Sequence, residues 1–560
     1  MRLRWFPFIF LAGLSFGQQS QPANDQKASV SGIVFDLLTK EPLRKVDLTL
    51  VANTRNESSS YGAISNADGT FVFENVEPGT YCLWGEKPGY VQGAYGAGGG
   101  RGEGIELRLS RGQKLDNLQF FLTPQAVISG RVVDQDGDPY GRCEVAVFTY
   151  IWRHGKRERE FHENGGVDDR GEFRIAGLTA GKYYLSVNPT EFQRHSRQVG
   201  KSPHQEVITY YPGTLNEEDA VPIVLAAGQQ VSNVEIKLQK GATYSITGKV
   251  IGLDDVPESK EFFGVRHIRL RRAGSSGSFG AFRGAMVEKN GSFEVDGVQP
   301  GLYELYVIQN PGTTLARTTV EVGERNIHNL TIQAVAPQPL SGKLRIEGND
   351  KPDLGRAMIA LQTVDDEFGG MPARVKTDGT FEFTGIGPGK YRIHIWNKPE
   401  ATYLKSIRLA EAESSDGTID INSGTRGELD LVLGADGGVI QGSIKIDSDE
   451  TDHSTPATPK SWKVVLIPDT PNLHRREEYT EEAVFDQYGA FSIKGIAPGK
   501  YKLYAWEKIE EDAWENPDLL KQMESNALDV TVEANEKKQL QVSLIPAQSV
   551  TEAMAKAGME

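Results

Sequence analysis

The stretch from Asp68 to Tyr81, DGTFVFENVEPGTY, decides the fold because it recurs along the chain. RGEFRIAGLTAGKY ends at Tyr183, NGSFEVDGVQPGLY at Tyr303, DGTFEFTGIGPGKY at Tyr391 and YGAFSIKGIAPGKY at Tyr501. All five follow one pattern: Gly, any residue, Phe, any, apolar, two residues, apolar, any, Pro or Ala, Gly, any, Tyr. The leading glycines, Gly69, Gly171, Gly291, Gly379 and Gly489, lie 102, 120, 88 and 110 residues apart. Those offsets are domain-sized, well beyond the ~20–50-residue periods of solenoids.

Each position in the pattern has a physical reason. Asp-Gly or Asn-Gly supplies the positive φ of a tight hairpin turn. In copies two and five the Gly follows Asp169-Arg170 and Gln487-Tyr488, which predicts a longer turn with a bulge. Phe71, Phe173, Phe293, Phe381 and Phe491 share a strand face with the apolar residue two places on and point into a core. Pro-Gly, or Ala180-Gly181 in copy two, predicts a type II turn in which Gly79, Gly181, Gly301, Gly389 and Gly499 take positive φ. The closing tyrosines, Tyr81, Tyr183, Tyr303, Tyr391 and Tyr501, each open a second strand of period two, such as Tyr303/Leu305/Val307.

The flanks repeat as well. Ser31-Gly32, Ser129-Gly130, Thr247-Gly248, Ser341-Gly342 and Gln441-Gly442 open the units, and alternating runs such as Val234/Ile236/Leu238 close them. About seven short strands per ~100 residues is the spacing of a sandwich. The predicted fold is all-β: five tandem antiparallel seven-stranded Greek-key β-sandwiches behind a signal peptide. The predicted division is 1-17 signal peptide, 18-28 disordered leader, sandwiches at 29-124, 125-240, 241-337, 338-435 and 436-546, and a flexible tail at 547-560. Helical periodicity is scarce; its best candidate is Asp512 to Ser525, with Pro517 in a first turn.

The repeated core, G-x-F-x-[FVI] followed by [PA]-G-x-Y, resembles that of carboxypeptidase regulatory-like domains, whose sandwich is transthyretin-like and related to starch-binding-like folds. The resemblance covers residues 29–546 in five copies. It implies a fold and no chemistry, since every residue in the motif is a turn or core residue. The family's name comes from a non-catalytic sandwich beside the catalytic domain of zinc carboxypeptidases.

Composition narrows the function. The 560 residues carry 61 Lys+Arg against 76 Asp+Glu, a formal charge of −15. Such a chain lacks the basic excess that phosphate contacts need, and anionic membrane surfaces repel it. Two cysteines cannot build a disulfide framework or a four-Cys zinc site. Arg2 and Arg4, the apolar run from Trp5 to Phe16, and the small residues Ser15 and Gly17 before Gln18 read as a cleaved secretory signal peptide. Nothing later reaches 18 consecutive apolar residues, so no membrane span is expected in the mature chain. The expected address is the periplasm or the outer surface.

No catalytic or metal site emerges. A carboxypeptidase zinc site needs His-x-x-Glu and a downstream His, but no His follows His474-Arg-Arg-Glu477. His154, His162, His195 and His204 match no metal spacing and read as surface residues. Asp134-Gln-Asp136-Gly-Asp138 lacks the ligand series of a calcium loop and reads as a turn; Asp447 to Asp452 reads as a solvated acidic loop. The Gly-rich run from Gly93 to Gly104 has no phosphate-loop spacing, and there is no G-x-S-x-G elbow. No cofactor is expected. Cys82 and Cys143 fall in different units and are expected to stay unpaired.

One pattern suggests binding. On the strand after the Pro-Gly turn, the outward positions hold Trp84, Tyr306, Trp396, Tyr504 and Trp506. Exposed aromatic faces stack on sugar rings; the alternative is that they pack under a loop or a neighbouring domain. Three readings stay open. The first is a non-enzymatic envelope scaffold, with polysaccharide binding through these aromatics as its specific form. The second is an accessory or regulatory protein docking to another envelope protein or enzyme. The third is an uncharacterised hydrolase.

Overall fold

Each copy of the repeated stretch contributes two strands that enter two different sheets. The computed structural model describes residues 27–52, 59–97, 104–141, 143–153, 156–189, 204–256, 266–273, 283–309, 313–347, 354–364, 372–422, 424–425, 427–445, 462–469 and 479–559. The expected signal peptide, the loop at Asp447 to Asp452 and the His474 to Glu477 stretch lie outside them.

In unit one the Phe strand, Thr70–Val76, pairs antiparallel with the opening strand, Ala28–Asp36. The opening strand pairs on its other edge with the closing strand, Lys114–Leu122, and this pairing is parallel. The second sheet runs Ser60–Ile64, Asp47–Ala52, Gly79–Glu86 and Gly93–Ala94, with the Tyr strand inside it. The same plan recurs around Ala126–Val133, Tyr244–Ile251, Gln338–Glu347 and Gly438–Lys445, each with a parallel closing strand. The units are therefore not purely antiparallel, as the sequence had suggested. A parallel partner cannot follow by a hairpin, so the last strand of each unit returns across the sandwich to lie beside the first.

The opening glycines have a reason that spacing alone did not reveal. Gly32, Gly130, Gly248, Gly342 and Gly442 each lie directly opposite the motif Phe of their own unit: Phe71, Phe173, Phe293, Phe381 and Phe491. A Cβ at Gly342 would sit 2.3 Å from the Phe381 ring and 2.5 Å from the Leu429 carbonyl. At Gly130 it would sit 1.8 Å from the Val234 carbonyl oxygen. Only glycine lets the parallel strand close in on one side while the ring covers the backbone.

The Pro-Gly step takes the expected positive φ in two of the five units, at Gly301 (155°) and Gly389 (158°), and not in the other three. Gly79, Gly181 and Gly499 are absent from the left-handed region and start the Tyr strands. Their role lies under the Tyr ring, whose edge stands 3.4 Å from where each Cβ would be. The tyrosine hydroxyl then donates to the carbonyl four residues earlier: Tyr81 to Glu77 at 2.8 Å, Tyr183 to Thr179 at 3.2 Å, Tyr303 to Gln299 at 2.9 Å, Tyr391 to Gly387 at 2.9 Å and Tyr501 to Ala497 at 2.7 Å. A corner tyrosine of this kind ties a sandwich's crossover to its own strand.

The hairpin turns also differ from expectation, since all five have one length. In each, the Gly N–H donates to the carbonyl three residues before it, as Gly69 does to Asn66 and Gly489 to Asp486. Gly69, Gly171, Gly291, Gly379 and Gly489 take φ between 75° and 85°. This is a type I turn closed by a left-handed glycine bulge. The cap moves, however. Asp68, Asn290 and Asp378, just before the Gly, accept from the N–H two places on, whereas in copies two and five Asp168 and Asp486 stand at the start of the turn and accept from the N–H groups two and four places on.

Apolar faces of the paired sheets meet in five separate cores, one within each unit's residue range. A sixth cluster, on the outside of unit five, joins Val465, Ile467, Tyr504 and Trp506 to Trp514, Leu519 and Val550. The helix expected at 512–525 is shorter: Pro517–Gln522, capped by the Asn516 side chain and flanked by 3-10 turns. The tail, expected to be flexible, forms the helix Ala547–Lys556 with Val550 and Ala553 buried.

Hydrogen bonds join neighbouring units. Between units one and two, Gln125 N–H donates to the Gly89 carbonyl at 3.1 Å and Gly228 N–H to the Pro124 carbonyl at 3.0 Å. Between two and three, His204–Glu206 pairs with Lys240–Ala242. Between four and five, Tyr403 Oη donates to Asp436 at 3.0 Å and Tyr479 Oη to the Leu404 carbonyl at 2.9 Å. Unit five also reaches back to units one and two.

Candidate functional site: the outward aromatics

The five candidate aromatics do lie on the outer face of the second sheet, where the period of two places them. They do not form one surface, because each unit covers this face differently.

In unit five Tyr504 and Trp506 stack at 5.2 Å with their planes 4° apart, and Trp514 stacks on Trp506 at 6.0 Å. The C-terminal helices close over them, leaving Trp506 0% exposed. Neither ring is available to a sugar, which corrects the outward-facing expectation for this pair. Their cover comes from a segment ~10–50 residues downstream whose own helical periodicity is weak.

Tyr306 in unit three is also buried, under charge. Arg271 donates to its hydroxyl at 2.8 Å, and the hydroxyl donates to Glu304 at 3.0 Å. Arg271 and Arg317 both reach Glu304 at 2.5 Å. Burial opposes ionisation of Glu304, but the bonds from the two guanidinium groups outweigh it and hold the carboxyl below its ordinary range. Tyr306 is thus part of an ion cluster, not a free platform.

Unit two has a cover that sequence reading missed. Phe148, Tyr150 and Tyr184 share the outer face, and the Arg159 guanidinium sits 3.9 Å above the Phe148 ring. Tyr150 and Tyr210 donate to Glu217 at 2.8 and 2.9 Å. Burial and the Glu217 charge push the Tyr150 hydroxyl well up. The signal was present in the outward alternation Phe148/Tyr150, but its partners lie up to 67 residues away in sequence.

Two aromatics keep access to solvent. Trp84 is half-buried and lines a shallow cleft of about 270 Å³ with Tyr90, Val91, Gln92 and Gly177 of unit two. Burial and a 2.9 Å bond to Asp36 push the Tyr90 hydroxyl up to about 12. Trp396 is 51% exposed at the end of its strand. The loop it begins carries Lys398, whose ammonium stands 4.0 Å from Glu481 of unit five. Burial raises Glu481 to about 7, against the opposing pull of Lys398.

Other candidates disperse. Among the described residues, no three His, Cys, Asp or Glu side chains gather as a metal would require. His162 takes part in a 2.8 Å bond with Thr149. The Asp134 carboxylate accepts from the Asp136 and Asp138 amides, which makes that stretch a turn. Cys143 is buried, its thiol pushed up to about 12 by burial, and Cys82 is half-buried; neither is bonded to the other. No helix among the described residues is long and apolar enough to cross a membrane.

Residues 29–117 match the family model of the carboxypeptidase regulatory-like domain, and the four later copies carry the same motif. Tandem β-sandwich units, the first of which matches this family, thus build the protein. Among solved structures it is similar to GBS52, a minor pilin of Streptococcus agalactiae, at 13% identity over 38% of this chain and 97% of that one, with a TM-score of 0.21. It is also similar to BcpA, the major pilin subunit of Bacillus cereus, at 11% identity over 55% of this chain and 99% of that one, with a TM-score of 0.15. Similarity that low carries no weight for function. No curated protein matches the chain.

Proposed function

We propose that the protein is a secreted, non-enzymatic scaffold of the cell envelope that binds polysaccharide through Trp396, with the unit-one cleft at Trp84 as a second contact. Its domains are the units 29-124, 125-240, 241-337, 338-435 and 436-546. The observation that carries this reading is the 51% exposure of Trp396, when Tyr306, Tyr504 and Trp506 are all covered. A flat ring beside Asn397 and Lys398 offers a sugar both an apolar face and hydrogen-bond donors. Five small cores, with no large one, also suit a scaffold better than a deep active site.

Pull-down on insoluble polysaccharides and a glycan array test the binding. Trp396→Ala is expected to lower retention at least tenfold while circular dichroism stays unchanged, and Trp84→Ala to lower it less. If every polysaccharide that binds is held equally by Trp396→Ala, the sugar reading fails and docking to another envelope protein replaces it. N-terminal sequencing of the exported chain should begin at Gln18.

A further inference from the structure

The chain closes on itself through a contact that sequence order does not suggest. The turn of unit five, Asp486-Gln-Tyr-Gly489, lies against residues 106–113 of unit one. Glu106 N–H donates to the Phe485 carbonyl at 2.8 Å. The Gln487 side chain then binds both peptide groups of Arg108: the Arg108 N–H donates to Oε1 at 3.1 Å, and Nε2 donates to the Arg108 carbonyl at 3.0 Å. Gln113 donates to the Tyr488 hydroxyl at 3.2 Å, and the Arg108 guanidinium stands 3.8 Å from Asp486. Gln487 is 0% exposed.

Two features, the first shared with copy two, fit this turn to its contact. Its capping Asp stands at the first turn position, so the two tip positions are released from capping and hold Gln487 and Tyr488. The carboxamide reproduces a peptide's donor and acceptor, so Gln487 acts as one more strand residue on the edge of Leu107–Leu109. Edge strands with unmet backbone groups pair with other chains, and this turn covers one. A second contact supports the closure: Trp152 of unit two packs against the Trp506/Trp514 cluster of unit five.

We propose that the 486–488 turn is a reversible latch, which holds the five-unit chain closed and releases unit one from unit five without unfolding either. The cores of units one and five share no residue, so each sandwich is complete without the other. The contact is a single turn, mostly polar, as in inter-domain contacts that open. The occupant of the unit-one edge is therefore this chain's own fifth unit.

Hydrogen exchange on the full chain tests the latch, with small-angle scattering beside it. In Gln487→Ala, protection of the Arg108 amide should fall at least tenfold, while the Leu83 and Leu503 amides in the two cores keep theirs. In Gln487→Ala/Trp152→Ala the radius of gyration should rise. Unchanged Arg108 protection overturns the proposal. So does a fall at Leu83 or Leu503 together with Arg108, which would make the contact part of one cooperative core. An unchanged radius in the double variant overturns it as well.

Discussion

At the scale of single residues, three positions in each unit are dictated by contact distances that spacing hinted at and geometry explains. The Ser-Gly or equivalent glycine faces the motif Phe on one side and a parallel strand on the other. Gly130→Ala would force a Cβ to within 1.8 Å of the Val234 carbonyl oxygen, which is backbone and cannot step aside. The cost should be roughly 3 kcal/mol or more, visible as a lowered denaturation midpoint for unit two. Gly62→Ala is the control: nothing lies within 4 Å of its Cβ, so the change should be neutral or slightly stabilising. If the two variants melt alike, the close-approach account is wrong. The corner tyrosines and the turn glycines belong to the same scale, since each acts within four residues of itself.

At the scale of elements, the outer face of the second sheet is covered in three different ways in units two, three and five and left partly open in units one and four. Alternation places aromatics there, but a half-exposed apolar face needs cover unless it binds something. Unit three uses an Arg271–Glu304–Arg317 cluster, unit two an Arg159 guanidinium over Phe148, and unit five two short helices. The Ala547–Lys556 helix is amphipathic by placement: Val550 and Ala553 face the cluster, while Thr551 and Glu552 face water. Truncation after Pro546 removes Val550 and Met559 from that cluster. At roughly 1.5–3 kcal/mol per buried side chain of this size, unit five should lose about 3–6 kcal/mol. Tryptophan emission should shift to the red as Trp506 gains water. An unchanged spectrum would show that the helix does not cover it.

At the scale of the whole molecule, the joints between units decide behaviour, and one of them is sensitive to pH. Glu481, on the strand Glu481–Glu482 of unit five, faces Lys398 of unit four at 4.0 Å and shares its surroundings with Tyr479 and Tyr501. Its carboxyl titrates near 7 in the folded chain because burial disfavours the charge. A carboxyl whose folded pKa is raised holds its proton more tightly when folded. The stability this gives is complete below the unfolded value, near 4.3, and is lost as pH rises through about 7. The side chain is 29% exposed, so the loss between pH 5 and 8 should be about 1–2 kcal/mol, less than the full shift would give. Glu481→Gln should flatten that part of the profile and raise the midpoint at pH 8. A wild-type profile with no slope in this window would refute the assignment.

Much of this is legible in the sequence, and the parts that are not share a physical cause. The five Phe and Tyr strands, their inward faces and the turn glycines all follow from contacts within one hairpin or one strand. The turn length in copies two and five is hidden because the capping Asp stands earlier, and a cap is visible only in hydrogen bonds. Gly79, Gly181 and Gly499 depart from the expected turn and instead pack under the Tyr ring, a contact that turn statistics do not contain. The aromatics lie on the expected face, but their exposure depends on partners that no alternation announces: Arg271, 35 residues before Tyr306, and the helical segments after Trp506.

By itself, then, the sequence determined a repeated β-sandwich, its core residues and the positions of its turns, because short-range sterics and a period of two act within a few residues. Only the tertiary structure decided which outward rings meet water, that the closing strand runs parallel to the opening one, and that unit five folds back onto units one and two. Those outcomes depend on residues brought together from as far apart as Arg108 and Gln487, where the energies of many weak contacts add and no local pattern announces the partner.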